Sequence, residues 1–63
     1  MKRTDLIRHL EAHGCYFVRG GARHTVYKNS TSGAYSAVPR HRQIKKGLVR
    51  KISDDLGIPH PQL

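Results

Sequence analysis

Apolar residues recur along this chain in two rhythms. Leu6, Ile7 and Leu10 fall at i, i+1 and i+4, and Leu48, Ile52 and Leu56 at i, i+4 and i+8 with Val49 beside them. Each set makes the single stripe of an amphipathic helix. Thr4 as cap, Asp5 in the first turn and Gly14 as stop predict a first helix over roughly residues 4 to 13. Gly47 as cap, with Gly57 and Pro59 closing, bounds a second helix. Between them the rhythm shortens. Cys15-Tyr16-Phe17-Val18 is a brief apolar, aromatic run suited to a strand and ended by Gly20-Gly21. His24 to Lys28 reads as a second strand, Asn29 to Gly33 as a hairpin loop, and Ala34 to Val38 as a third strand. Pro39 lacks the N–H a central strand needs, so it ends the run.

The order is helix, three strands, helix, which predicts an α+β fold with an α-β-β-β-α plan. Its three-stranded antiparallel sheet carries both helices on one face and leaves the other open, because each helix has one stripe to bury. With 63 residues there is room for one domain, over residues 1–58, with 59–63 as a loose tail. Strand alternation puts His24, Val26 and Lys28 on one face of the sheet and Thr25 and Tyr27 on the other. Tyr27 could stack on a base, but a strand tyrosine more often packs, and packing is the expected role.

Charge changes the picture. Twelve Lys and Arg stand against four Asp and Glu, a formal +8, and such a field attracts nucleic acid or an acidic protein. An anionic membrane is a poorer fit, because the helical segments hold no Trp, Tyr or Phe to anchor them. The sequence predicts neither a membrane span nor a signal peptide, since Met-Lys-Arg is followed by Thr-Asp. A cytoplasmic protein is expected. Cys15 is the lone cysteine, which excludes an intrachain disulfide and CxxC metal sites. It reads as a small buried apolar residue.

The candidate chemistry centres on Gly20 to Asn29. Two adjacent glycines allow positive φ and a close approach to a partner, and they deliver His24 between Arg23 and Lys28. Histidine exchanges a proton near neutral pH, and cations stabilise charge on phosphate oxygens. RNA cleavage by the 2′-hydroxyl needs both. The plainer alternative for His24 is a surface histidine on a hairpin. Arg40, Arg42, Lys45, Lys46, Arg50 and Lys51 place half of all cations within twelve residues, a phosphate-contacting segment. His41 sits inside that run, either as a second acid–base group or as a solvated loop residue. His9 and His13 have the spacing of a helical metal pair, but no third ligand is near, and His13 suits the helix C-terminus. With so few acids, a carboxylate or Mg²⁺ nuclease site is not supported, and no metal or cofactor is expected.

Several of these residues together resemble the HicA toxins, small mRNA interferases of type II toxin–antitoxin systems. The likeness runs through Lys2-Arg3-Thr4-Asp5-Leu6-Ile7, Gly14, Arg19, His24-Thr25-Val26-Tyr27, Val38-Pro39-Arg40-His41, Gly47-Leu48 and Leu56-Gly57-Ile58. It implies a fold similar to double-stranded-RNA-binding domains and a metal-independent endoribonuclease acting on mRNA, with an essential histidine at His24. It also implies a HicB antitoxin that covers this surface. Arg23, Lys28, Arg40, His41, Arg42, Lys45 and Lys46 would then hold RNA. Two other readings stay open: a non-catalytic RNA-binding module, and a basic domain whose partner is an acidic protein.

Overall fold

The computed structural model describes residues 1–62, and its order is the expected one. Helix α1 spans Arg3–Ala12, strands β1, β2 and β3 span Cys15–Gly20, His24–Asn29 and Tyr35–Pro39, and helix α2 spans Lys46–Leu56. The sheet is an antiparallel meander with β2 in the middle. Both helices lie on one face, giving two layers in a slab 28 × 27 × 16 Å. No helix among the described residues is long and apolar enough to cross a membrane.

Alternation decides which side chains meet the helices. Thr25, Tyr27 and Asn29 of β2 and Ser36 and Val38 of β3 are buried. They face Leu6 and Leu10 of α1 and Val49, Ile52 and Leu56 of α2, all at or near zero exposure. Cys15, Ile44 and Ile58 complete the core. Tyr27 packs edge-on against Phe17, ring centroids 6.2 Å apart, so its role is packing as its place in the pattern implies. His24, Val26 and Lys28 point to the open side.

Helix ends separate local signals from distant ones. Gly57 adopts φ 68°, and the amides of Gly57 and Ile58 donate to the carbonyls of Asp54 and Ser53 at 3.1 and 3.0 Å. This pairing is the Schellman closure, with Ile58 buried beside it. Gly14 likewise takes φ 79° after α1. At the N-termini the expected caps are displaced. Thr4 lies inside α1, and the cap position is Lys2, without a side-chain cap bond. Gly47 lies inside α2, which is capped by Lys45. Two segments far apart in sequence explain both shifts. Lys2 bridges Gln43, the Arg3 amide donates to the Arg42 carbonyl at 2.9 Å, and the Ile44 amide donates to the Met1 carbonyl at 2.8 Å. This tie satisfies the first α1 donor and fixes the chain just before α2.

Strand β1 runs two residues longer than expected. A bulge at Val18 shifts the register between Phe17 and Arg19, so that Arg19 and Gly20 still pair with Val26 and Thr25. Asn29 closes the second hairpin from inside. Its Nδ2 donates to the Leu56 carbonyl at 2.8 Å, while its Oδ1 accepts from the Thr31 amide at 2.9 Å. In the tail, the Pro59 carbonyl accepts from His9 Nε2 at 2.7 Å and His60 Nε2 meets Asp54 at 2.7 Å. Leu63, the end of that tail, lies outside the described residues.

Candidate active site

His24 opens β2 on the open face and is exposed. The turn before it is closed by the Gly21 amide donating to the His24 carbonyl at 2.8 Å. Neither Gly20 nor Gly21 has positive φ; among the described residues only Gly14, Gly33 and Gly57 do. What Gly20 supplies is space. A Cβ there would lie 2.8 Å from a terminal nitrogen of the Arg40 guanidinium. Arg40 uses that room to reach across the turn, and its Nε donates to the Gly21 carbonyl at 2.8 Å. The Arg40 amide donates to the Arg23 carbonyl at 3.1 Å. The glycine turn is thereby fastened to the segment that follows β3.

The result is one shallow cleft lined by Ala22, Arg23, His24, Arg40 and His41. Two histidines and two arginines line it, and none of its five residues carries a carboxylate. Arg40 also borders a second hollow, with Lys2, Arg3, Thr4 and Arg42. Four of the expected RNA-binding residues are thus gathered at one end of the molecule: Arg23, Arg40 and His41 in the cleft and Arg42 in the hollow beside it. The others are elsewhere. Lys45 and Lys46 sit exposed at the start of α2 and line neither depression. Lys28 is on the same face as His24 but four residues further along β2, with its ammonium 5.5 Å from the centre of the Tyr35 ring.

Arg3 holds the site from beneath, a role the sequence reading did not assign. From the first turn of α1 its Nε donates to the Pro39 carbonyl at 2.9 Å, and a terminal nitrogen donates to Thr25 Oγ1 at 2.8 Å. Thr25 follows His24 in the chain, and Pro39 is the ladder partner of His24. Thr25 Oγ1 in turn donates to the Val38 carbonyl at 3.2 Å. A threonine at a core-facing strand position needs such partners, and that was the signal available.

The helical histidine pair is engaged otherwise. His13 Nδ1 donates to the His9 carbonyl at 3.0 Å, and His9 Nε2 to Pro59. Among the described residues no three His, Cys, Asp or Glu side chains come together as a metal site would require. Burial pushes the Cys15 thiol up from its ordinary value, consistent with a packing role.

The site is thus a cleft lined by two histidines and two arginines, at the edge of the bare face of an α+β slab. The sequence matches the family described as "HicA toxin of bacterial toxin-antitoxin" over residues 3–58, and the chain belongs to that toxin family. No match is found among curated proteins or among solved structures.

Proposed function

We propose that this toxin is an endoribonuclease that cuts mRNA in the cytoplasm, with His24 as a general acid or base. The observation that carries the reading is the cleft itself, where His24 and His41 stand with Arg23 and Arg40. Cleavage by this route removes a proton from the ribose 2′-hydroxyl while its oxygen attacks the adjacent phosphorus. The bond to the 5′-oxygen breaks, and that oxygen takes up a proton. The products are a 2′,3′-cyclic phosphate and a free 5′-hydroxyl. One imidazole accepts the first proton and a second donates the other. His24 and His41 are the two such groups in the cleft. Arg23 and Arg40 stabilise the charge on the non-bridging oxygens.

The chemistry asks nothing of a divalent ion, because acid, base and charge stabiliser are all side chains. A HicB-type antitoxin would silence the toxin by covering the cleft. An acidic one fits a +8 surface and would add stability to a small domain by binding its native state.

The test is cleavage of a mixed-sequence RNA in excess EDTA, wild type beside His24→Ala. The wild type should cut, and His24→Ala should fall by about 10²–10⁴-fold with RNA affinity nearly unchanged. Binding by both proteins and cutting by neither would leave a non-catalytic RNA-binding module instead.

A further inference from the structure

The face of the sheet away from the helices has its own order. Tyr16, Lys28 and Tyr35 are direct cross-strand neighbours on β1, β2 and β3. They form a row across the whole sheet with a cation between two aromatic rings. Both tyrosines are open to solvent, Tyr16 46% and Tyr35 61% exposed. Strands lie about 4.8 Å apart, so the two tyrosines are rooted roughly 10 Å from each other. Next to the row lies a shallow hollow lined by Val18, Arg19, Val26, Tyr35, Ser36 and Ala37. Beyond it, on the same face of β2, comes His24. Lys28 to His24 is four residues, about 13 Å along the strand.

Charge on this face has one sign. Arg19 and Lys28 lie on it and Arg23 and Arg40 stand at its end. All four acids of the chain, Asp5, Glu11, Asp54 and Asp55, are in the two helices of the opposite layer. Exposed aromatic rings interleaved with cations and running continuously into the cleft are what an unpaired nucleic acid strand recognises. Bases stack on the rings, and phosphates follow the positive groups.

We infer that the open sheet face is a platform for single-stranded RNA, with bases stacked on Tyr16 and Tyr35 and the strand led along β2 to His24. The inference rests on the endoribonuclease reading and names how that site takes its substrate: unpaired RNA only, because a duplex keeps its bases stacked on each other and turned inward.

The experiment uses His24→Ala as parent, so that RNA stays intact, and a short fluorescein-labelled single-stranded RNA of mixed sequence as probe, read by anisotropy. Tyr16→Ala and Tyr35→Ala should each weaken binding about fivefold or more, the range expected for losing one stacked base. Tyr16→Phe and Tyr35→Phe should bind as the parent does, because the ring face is kept. The slope of log affinity against log salt should be the same in the Ala variants, since no phosphate contact is removed, and shallower in Lys28→Gln. A blunt RNA duplex should bind the parent and the tyrosine variants alike. The platform is overturned if both Ala variants bind the single strand as tightly as the parent while the wild type still cuts RNA, and in that case the nuclease reading survives. It is equally overturned if these substitutions spare RNA but release an acidic antitoxin, which would assign the face to a protein partner. A wild type that neither binds nor cuts RNA would remove the nuclease reading and the platform together.

Discussion

Replacing Arg3 by Met tests whether the site is held from inside the fold. The substitution keeps a stem of similar length and removes two charge-assisted bonds, to the Pro39 carbonyl and to Thr25 Oγ1. Hydrogen bonds to charged groups contribute about 1.5–3 kcal/mol each when protected from water. Arg3 is half-buried, Thr25 keeps its bond to the Val38 carbonyl, and Met packs its own stem. The net loss should therefore sit near the value of a single bond, roughly 2 kcal/mol. A domain of this length has a total stability of about 3–9 kcal/mol, so the change is a large share of it. With an unfolding entropy of about 2.1 cal/mol/K per residue, 2 kcal/mol corresponds to a fall of roughly 15 °C in Tm. Urea titration followed by circular dichroism would give the loss as a shift in midpoint at unchanged slope. Arg3→Lys should fall between the two, since an ammonium keeps the charge but lacks the fork that reaches both acceptors. A loss below about 0.5 kcal/mol, the scale of ordinary surface substitutions, would refute the reasoning and leave Arg3 a surface cation.

Two further outcomes follow from contacts around the cleft and the helix layer. Gly20→Ala places a methyl group where Arg40 lies, 2.8 Å from its guanidinium; that group is the end of a flexible chain, so the variant should fold with nearly wild-type Tm but cleave RNA more slowly, and equal cleavage rates would show that Arg40 needs no such seat. The Asp55 carboxyl is held below its ordinary value of 3.8 by hydrogen bonds from Lys51 and Ser36. Its contribution to stability is therefore present above that ordinary value and is lost as the pH falls through the lower, folded-state value. Asp55→Asn should lower Tm near neutrality, flatten the acid limb of the Tm–pH curve and converge on the wild type at the lowest pH, and an equal Tm deficit at both ends would contradict this.

What the sequence made legible was whatever depends on neighbours in the chain. Gly14 and Gly57 end their helices because a left-handed residue is needed just past the last turn, and both glycines stand where the apolar stripe stops. Alternation separated Thr25 and Tyr27 from His24, Val26 and Lys28, but which set is buried depends on where the helices lie, and they cover the first. The helix starts were misplaced at Thr4 and Gly47, because their anchors come from the pairing of Met1 and Lys2 with Gln43 and Ile44, some forty residues away. Gly20-Gly21 looked like a positive-φ turn and is instead a seat for Arg40, which no local pattern discloses. The basic run from Arg40 to Lys46 looked like one patch. The fold divides it, with Ile44 buried between the two halves, Arg40 and His41 at the cleft, and Lys45 and Lys46 at the start of α2.

In an open sheet of three strands, two are edges with one row of backbone groups unpaired, and here those are β1 with its bulge and β3 with its terminal proline. The strand that carries His24 is the one laced to neighbours on both sides. Breathing of the sheet begins at edges and reaches the centre last. The imidazole is thus carried by the strand that opens last, beside a turn that Arg40 fastens at Gly21 and Arg23.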